Sequence, residues 1–396
     1  MISERMAAIM QSGSAIRTLF EEGKRLAEIH GSENVFDFSI GNPNFPAPDA
    51  VQKAIVDITT NEDPIKLHGY MTNAGYPDVR LAIANFLNEK HNTSFSEKNI
   101  IMSVGAAGAM NVVLKVLLNP GDEVITISPY FVEYNYYVAN YDGKLVSVQA
   151  RESDFQPCPE AIASAITKNT KAIILNSPNN PTGAVYSKET ISQIAAVLSS
   201  KEQEYGTSIY IVSDEPYREL VFDGIDVPFV TKYYKNTIVC YSWSKSLSLP
   251  GQRIGYILLP SELDGFELIF GAASIATRTL GFINAPALQQ RMIARCLYET
   301  TDISAYNENR KLMYDGLLKC GFKPMLPQGT FYLWMKAPVD DDREFSEKAK
   351  SYNLLLVPGA SFGCSGYVRI AFCVSAQRIV NSMGAFKKLA QEYGLS

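Results

Sequence analysis

The chain of 396 residues is 46% hydrophobic and 19% charged, and its formal net charge is -5. This length exceeds what one hydrophobic core usually contains, so we expect a soluble globular protein with two domains. The weak acidic charge argues against a nucleic-acid-binding surface and an electrostatic membrane anchor. The 6 cysteines form no C-x-x-C pair and there are only 3 histidines, which indicates neither a metal site nor a disulfide framework. We expect a cytoplasmic protein, because no apolar stretch is long enough for a signal peptide or a membrane span.

The N-terminal part is predicted to contain helices, a short strand and a linker. An amphipathic pattern predicts a helix over Ser14 to His30, and alternation predicts a strand over Val35 to Ile40. The segment from Gly41 to Pro48 is too rich in proline for regular structure, so we interpret it as a linker. Two helices follow, one capped by Asp49 and one beginning near Asp78.

From Asn99 onward, short apolar strands alternate with helical patterns. The predicted strands are Ile100 to Val104, Val124 to Ile127, Leu145 to Val148, Ala172 to Leu175, Ile209 to Val212 and Thr237 to Tyr241. This alternation predicts an α/β domain with a mostly parallel sheet and helices on both faces. In such a domain, ligands bind beyond the carboxyl ends of the strands.

After Pro260 the pattern becomes more helical and predicts a smaller α+β domain. The predicted elements are helices over Asn284 to Leu297 and Ala305 to Lys319, a strand over Thr330 to Met335, a helix after Asp342, strands over Leu354 to Val357 and Tyr367 to Phe372, and a closing helix to Tyr393. We therefore predict an N-terminal arm of residues 1–48 that joins the small domain, a large domain of residues 49–285, and a small C-terminal domain of residues 286–396.

The segment Ser242–Lys245 places a lysine at the end of a buried strand, with Arg253 eight residues later. A lysine near apolar walls and other cations can lose its proton and form a Schiff base with an aldehyde. The nearby hydroxyls and Arg253 can hold a phosphate. Together these features are those of a binding site for pyridoxal 5'-phosphate. A solvated lysine in a serine-rich loop is the alternative for this segment alone.

Four further motifs have polar or small residues directly after a predicted strand or inside one. Asp214 follows a buried strand, where a carboxylate is costly unless paired, although a turn or helix-cap aspartate is the alternative. The loop Asn176–Gly183 follows another strand and has the composition of a turn. The turn Gly105–Gly108 opens a helix whose free N–H groups favour a phosphate, although small residues there usually serve packing. Arg369 lies inside an apolar strand and needs a carboxylate from a substrate or from an internal salt bridge.

Taken in their order along the chain, these motifs resemble those of the fold type I pyridoxal-phosphate enzymes, specifically the class I aminotransferases. The resemblance extends over nearly the whole chain, from Gly41 to Arg369. It implies that Lys245 is the catalytic residue and holds the cofactor, while Asp214 keeps the cofactor ring nitrogen protonated. It also implies that Asn180, supported by Asn176, and Tyr217 donate hydrogen bonds to the cofactor 3'-oxygen.

The resemblance further assigns the phosphate, the cofactor ring and the substrate carboxylate. The residues expected at the phosphate are Gly105, Ala106, Ala107, Ser242, Ser244, Arg253 and, from the neighbouring subunit of a homodimer, Tyr70. Phe131 is expected to stack on the ring, with Tyr130 as the competing candidate and core packing as the alternative for both. The substrate α-carboxylate is expected to bind Arg369 and Asn180, with backbone groups near Gly41 on the other side.

The implied reaction moves an α-amino group from an L-amino acid to a 2-oxo acid such as 2-oxoglutarate. Some similar bacterial enzymes that act on dicarboxylates carry a basic residue near the Gly105–Gly108 turn, where this chain has Ala106 and Ala107. Arg278 lies near the region where other relatives supply an arginine for a distal carboxylate, and a surface arginine is the alternative. We expect aspartate or alanine as donor, then aromatic amino acids. A Cβ–S lyase on the same scaffold and a non-catalytic cofactor-binding module are the rival interpretations.

Overall fold

A computed structural model describes residues 2–12 and 15–395. The strands are β1 (Phe36–Asp37), β2 (Ile100–Ser103), β3 (Glu123–Ser128), β4 (Lys144–Gln149), β5 (Thr170–Asn176), β6 (Tyr210–Asp214), β7 (Thr237–Ser242), β8 (Gly255–Leu258), β9 (Lys323–Pro324), β10 (Tyr332–Lys336), β11 (Leu354–Leu355), β12 (Val357–Pro358) and β13 (Tyr367–Ala371). The α-helices are α1 (Glu4–Ser12), α2 (Ala15–His30), α3 (Asp49–Asn61), α4 (Pro64–His68), α5 (Pro77–His91), α6 (Gly105–Leu117), α7 (Tyr134–Ala139), α8 (Pro159–Ala165), α9 (Lys188–Tyr205), α10 (Trp243–Ser246), α11 (Phe266–Thr279), α12 (Ala287–Ala294), α13 (Ile303–Lys319), α14 (Asp342–Lys350) and α15 (Ala376–Glu392). No helix in these two ranges is long and apolar enough to cross a membrane.

The larger sheet has seven strands in the order β2-β8-β7-β6-β5-β3-β4. The pairs from β4 to β7 are parallel, whereas β8 is antiparallel to both β7 and β2. Helices cover both faces: Ile100 and Met102 pack with α3 and α5, while Ile101 between them packs with α6. Every residue of β3, β6 and β7 is buried, as expected for strands that are covered on both faces.

A second group of elements surrounds a four-stranded antiparallel sheet of order β12-β13-β10-β9. Its hydrophobic core includes Phe345 of α14, Phe386 of α15 and Phe38 from the N-terminal arm. The arm is attached by parallel pairing of β1 with β11. The structure thus confirms the predicted fold class, an α/β part with a mostly parallel sheet plus a smaller α+β part. The domain limits at residues 48 and 285 stay predictions.

Several predicted elements have different bounds in the structure. The strand predicted over Val35 to Ile40 is only β1, because the Asp37 carboxylate accepts hydrogen bonds from the Ser39 N–H at 2.8 Å and its hydroxyl at 2.6 Å. The helix predicted from Asn284 is only α12, because Pro286 disfavours helical backbone in the residue before it. Of the helix predicted over Ser14 to His30, Ser14 lies outside the described residues.

Two strand predictions also need correction. The single strand predicted over Leu354 to Val357 is two strands in different sheets, since β11 pairs with β1 and β12 pairs with β13. The sequence interpretation missed β8, a four-residue strand between Arg253 and Pro260 that was treated as part of a binding motif. The remaining predicted strands and helices are present with ends shifted by a few residues.

The carboxyl ends of three neighbouring strands lie side by side. In the ladder, Asn176 at the end of β5 is paired with Asp214 at the end of β6, and Asp214 is paired with Cys240 near the end of β7. Ser242 ends β7 and begins the turn into α10, so Lys245 on α10 lies beyond the same edge of the sheet. This edge is where a doubly covered sheet usually binds ligands.

Candidate active site

A cavity of about 340 Å³ lies at this edge of the large sheet. Its lining includes most of the residues that the sequence motifs singled out. These are Gly41, Ala106, Ala107, Phe131, Asn176, Asn180, Asp214, Tyr217, Ser242, Ser244, Lys245, Arg253 and Arg369. Residues from both parts of the fold therefore meet at one cavity.

Two of the predicted site residues do not line this cavity. Gly105 lies behind Arg253, since a Cβ atom on Gly105 would be 2.7 Å from the Arg253 Nη2 atom. The side chain of Tyr70 is 93% exposed. Its predicted role needs a second subunit, so Tyr70 stays a prediction.

Lys245 is a half-buried lysine with one hydrogen-bond acceptor. Its Nζ atom donates to the Gly41 carbonyl oxygen at 2.7 Å and lies 5.2 Å from the centre of the Phe331 ring. Burial lowers the pKa of Lys245 to about 8, and the positive charges of Arg369 and Arg253 act in the same direction. A substantial fraction of Lys245 is therefore the neutral, nucleophilic amine in mildly alkaline solution.

The lowered pKa of Lys245 predicts how the capture of an aldehyde depends on pH. Only the neutral amine attacks, so the capture rate should rise about tenfold per pH unit below a pKa of about 8 and level off above it. Stopped-flow absorbance, after mixing cofactor-free protein with pyridoxal phosphate, measures this rate. A rate that still rises steeply near about pH 10 would show that Lys245 titrates as an ordinary exposed lysine.

The carboxylate of Asp214 is fully buried and only half satisfied. Its Oδ2 atom accepts a hydrogen bond from the Tyr134 hydroxyl at 2.5 Å, whereas its Oδ1 atom has no partner among the described residues. Burial raises the pKa of Asp214 to about 7, the Tyr134 hydrogen bond opposes this rise, and the charge of Glu215 adds to it. An unpaired buried oxygen is costly, so Oδ1 is suited to a positively charged N–H donor in the cavity.

The guanidinium of Arg369 lies in the same cavity and has no carboxylate partner among the described residues. Its Nη1 atom donates to the Asn180 side-chain oxygen at 3.1 Å, and its Nη2 atom donates to the Ser39 carbonyl oxygen at 2.5 Å. The rings of Tyr332 and Phe362 lie 4.3 and 4.9 Å from the guanidinium carbon. No carboxylate in the described part of the chain forms a salt bridge with Arg369, so the alternative of an internal salt bridge is wrong. The buried Nε atom lacks a partner, which leaves a site for an anion.

A third group of donors lies around the start of α10. The hydroxyls of Ser242 and Ser244 are 2.7 Å apart, and the Ser242 side chain also accepts from the Ser244 N–H at 3.2 Å. The Arg253 guanidinium is exposed and donates to the carbonyl oxygens of Pro250 at 2.9 Å and Val104 at 3.2 Å. With the N-terminal end of α6 beside them, these groups can bind a phosphate.

The loop after β5 is held by Asn176. The side-chain nitrogen of Asn176 donates to the Asp214 carbonyl oxygen at 2.9 Å, and its side-chain oxygen accepts from the Asn180 N–H at 2.8 Å. Across the cavity, the hydroxyl of Tyr217 lies 3.3 Å from that of Tyr332. The loop is thereby fixed so that Asn180 stands between Arg369 and the end of β6.

The structure also distinguishes the two candidate aromatic residues after β3. Phe131 lines the cavity, and its ring packs edge-on against Tyr134 at 5.7 Å between ring centres. Tyr130 is not in the lining, and its hydroxyl donates to the side-chain oxygen of Asn135 at 3.3 Å. The geometry thus favours Phe131 for stacking on a bound ring.

Sequence reasoning missed several residues of the site. The Tyr134 hydroxyl donates a hydrogen bond to Asp214. The cavity is also lined by Ile16, Ile40, Met110, Tyr137, Pro216, Pro250 and Tyr332. Apart from Pro216, which lies between Asp214 and Tyr217, and Ile40 and Pro250, which adjoin predicted motifs, none of these lies in or next to a motif. Their positions depend on packing between distant segments, so a single sequence carries no local signal for them.

Gly41 is the position where the arm passes closest to the site. A Cβ atom there would lie 1.7 Å from the Tyr332 hydroxyl. We expect Gly41→Ala to lower the unfolding free energy by about 1–3 kcal/mol through overpacking and to raise the KM for substrate, because it displaces the acceptor of Lys245. Thermal unfolding and steady-state kinetics measure both effects.

Gly251→Ala is the matched control for this prediction. A Cβ atom on Gly251 meets no heavy atom within 4 Å, and its backbone does not require glycine. This variant should retain the melting temperature and the KM of the wild type. If Gly41→Ala also retained the melting temperature and the KM of the wild type, the close approach of Gly41 to Tyr332 would contribute to neither stability nor substrate binding.

The sequence profile of the family described as aminotransferase class I and II matches residues 33–385. The chain belongs to this family. Among curated relatives of this aminotransferase, the aspartate aminotransferase of Pyrococcus horikoshii is 30% identical, and the match covers 98% of this chain and 96% of the relative. The aspartate/prephenate aminotransferase of Thermus thermophilus is 29% identical over 98% of both chains.

Solved structures of relatives have the same fold as this aminotransferase. An amino transferase from Eubacterium rectale is 48% identical over 99% of both chains, with a TM-score of 0.97. The aspartate aminotransferase of Thermus thermophilus with maleate is 28% identical over 98% of this chain and 99% of its own, with a TM-score of 0.85. These findings confirm the predicted family and enzyme class.

Aminotransferases of this class depend on pyridoxal phosphate, and the residues of the cavity fit that cofactor. The unpaired Oδ1 atom of Asp214 suits a protonated ring nitrogen, and the amine of Lys245 suits an aldehyde. The donors around Ser242 and Arg253 suit a phosphate. The chain is thus a pyridoxal-phosphate-dependent aminotransferase, as the motifs predicted.

Proposed function

We propose that this aminotransferase moves the α-amino group of an L-amino acid, with aspartate or alanine favoured over aromatic donors, to a 2-oxo acid such as 2-oxoglutarate. The proposal depends on one observation. The guanidinium of Arg369, which has no carboxylate partner among the described residues, lies in the same cavity as the amine of Lys245. An α-amino acid offers a carboxylate and a Cα–H bond a short distance apart. The cavity has one group for each of them.

The role of the chain in catalysis follows from these positions. Bound pyridoxal phosphate supplies an electron-withdrawing ring that accepts the electrons of the Cα–H bond. Arg369 and Asn180 would hold the substrate carboxylate, and the amine of Lys245 would be placed to move a proton at the substrate Cα. Asp214 stays negatively charged beside the ring nitrogen, and Tyr217 with Asn180 donates to the ring oxygen.

We assign the remaining predicted residues to holding the cofactor. Ser242, Ser244, Arg253 and the backbone of residues 105–107 bind the phosphate, and Phe131 covers one face of the ring. Tyr70 of the partner subunit completes the phosphate site in a homodimer. The side chain of Tyr70 is 93% exposed within its own chain, so it is free to contact a second subunit.

The choice of donor depends on cations in the cavity. Within one described chain, the lining contains Lys245, Arg253 and Arg369, and each already has a role. Ala106 and Ala107 add no charge, and Arg278 is exposed near the end of α11, outside the lining. A distal carboxylate would therefore need a cation from outside this lining, for which Arg278 of a partner subunit is the candidate, whereas a small neutral side chain needs no further cation.

A screen of donors tests the proposal. We expect amino transfer from L-aspartate or L-alanine to 2-oxoglutarate, followed by the change in cofactor absorbance in single turnovers. Arg278→Gln should lower kcat/KM for aspartate at least about tenfold and leave that for alanine unchanged if Arg278 binds the distal carboxylate. Pyruvate and ammonia released from a cysteine conjugate without any oxo acid would instead identify a Cβ–S lyase.

A further inference from the structure

A second cavity, of about 350 Å³, lies on the other side of α10 from the active site. Its walls come from α5, from β7, α10 and β8, and from the segment of residues 297–300. Among the described residues, none lines both cavities. Small-molecule sites in proteins occupy roughly 300 to 1,000 Å³, so this cavity has room for a small ligand.

The walls of this second cavity are largely aromatic. They include Phe86, Tyr241, Trp243, Tyr256 and Tyr298. The rings of Tyr241 and Tyr256 are stacked at 4.9 Å between their centres, and Trp243 packs edge-on against Tyr241 at 5.2 Å. Such walls favour a flat aromatic ligand, and the faces of Trp and Tyr rings also attract cations.

The charges around the second cavity favour a cation. Three carboxylates, from Glu89, Glu219 and Glu299, line it together with Lys90 and Arg218. Arg218 is neutralised from outside the lining, since its Nε atom donates to the buried Glu215 carboxylate at 2.6 Å. Lys90 balances one carboxylate, because its Nζ atom lies 3.1 Å from Glu219.

An excess of negative charge therefore remains. Glu89 accepts a hydrogen bond from the Tyr298 hydroxyl at 2.5 Å, but neither Glu89 nor Glu299 is in an ion pair with a described residue. The imidazole of His91 contributes an unpaired acceptor or donor, since its buried Nε2 atom has no partner within the described part of the chain. Burial, together with the charge of Arg218, lowers the pKa of His91 to about 3, so this ring adds no positive charge at neutral pH.

We propose that the second cavity binds a small aromatic primary amine. The ring of the amine packs between Phe86 and the cluster of Tyr241, Trp243 and Tyr256, and its ammonium group is held by Glu89 and Glu299, because both oxygens of Glu219 are already bound by Lys90 and the Tyr241 hydroxyl. An aromatic amino acid is disfavoured, because its own carboxylate would meet those of Glu89 and Glu299, which no described cation balances. The site lies outside the active-site cavity and does not depend on the identity of the amino donor.

Tyramine is a suitable probe for this site. Because an amine also reacts with the cofactor aldehyde, the holoenzyme is first treated with borohydride, which locks the cofactor to its lysine and blocks that reaction. Calorimetric titration should then show saturable binding of one tyramine per chain. L-Tyrosine, which has the same ring and an added carboxylate, should bind at least about tenfold more weakly.

Variants of the walls locate the binding. Glu89→Gln and Glu299→Gln, made together, keep the shapes of both side chains and should weaken tyramine binding at least about tenfold. Tyr298→Ala changes an exposed ring and should weaken it several-fold without risk to folding. Glu262→Gln, an exposed glutamate outside the cavity, is the matched control and should bind as the wild type does.

Three results would each overturn the proposal. The first is the absence of saturable binding up to about 10 mM tyramine, a concentration above the range of a specific site. The second is equal affinity for tyramine and L-tyrosine. The third is unchanged affinity both in the double variant Glu89→Gln/Glu299→Gln and in Tyr298→Ala, which would place the bound amine elsewhere on the protein.

Discussion

Lys245→Ala is expected to lose the visible absorbance of lysine-bound cofactor and to lower kcat by at least about a thousandfold. In the proposed mechanism, the Lys245 side chain both binds the aldehyde and moves a proton at the substrate Cα. No other amine lines this cavity in the described chain. Spectra of the purified protein with added pyridoxal phosphate and single-turnover kinetics measure the two losses separately.

The control for this variant is Lys53→Ala on α3. Lys53 is exposed and distant from the cavity lining, so both the spectrum and kcat should be those of the wild type. Substantial turnover by Lys245→Ala, with the absorbance band retained, would remove the basis of the mechanism proposed for this enzyme.

Asp214→Asn is expected to have opposite effects on catalysis and on the stability of the cofactor-free protein. An amide has nearly the same shape and can still accept from Tyr134, but it cannot hold a positive charge on the ring nitrogen. We expect kcat to fall at least about a hundredfold, the order of one preorganised electrostatic contact. Tyr134→Phe should produce a smaller fall, because it removes only the hydrogen bond at Oδ2 that opposes protonation of Asp214.

The stability effect follows from the raised pKa of Asp214. A carboxyl group whose pKa is raised from near 4 to about 7 by burial opposes folding progressively as the pH rises between these values. Below about pH 4 the penalty is absent, and above about pH 7 it is complete. The cofactor-free variant should therefore melt at a higher temperature than the cofactor-free wild type at pH 8, and by a smaller margin at pH 5.

Addition of cofactor should reverse that order, because the ring nitrogen stabilises the carboxylate only in the wild type. Asp340→Asn, which changes an exposed aspartate outside the cavity lining, should show neither effect. If Asp214→Asn kept full activity, the contact between this carboxylate and the ring nitrogen would be wrong. If its cofactor-free form were less stable at pH 8, the unpaired state of Oδ1 would be wrong.

The sequence predicted those parts of the site that are encoded within a few residues. Lys245 and Asp214 were found because each follows an apolar run that forms a fully buried strand, so a charged side chain there stands out. Arg369 was found for the same reason on β13. The fold class was predictable because the alternation of short strands and helices leaves few arrangements other than a mostly parallel covered sheet.

The remaining features depend on contacts between distant segments. Tyr134 reaches Asp214 across 80 residues of sequence, and Tyr332 meets Gly41 through packing of the small sheet against the arm. Neither tyrosine lies in a polar motif, so neither could be distinguished from a core aromatic. The same holds for β8, which is defined by its antiparallel neighbours and not by its four residues.

The side chain of Arg369 connects three segments of the chain. It is carried by β13, it holds the arm through the Ser39 carbonyl, and it holds the loop after β5 through Asn180. A substrate carboxylate bound here would be a further partner of the same guanidinium. In the proposed function, one guanidinium would therefore both bind the substrate carboxylate and hold the arm, so a mutation that weakens the attachment of the arm should lower the selectivity for α-carboxylates.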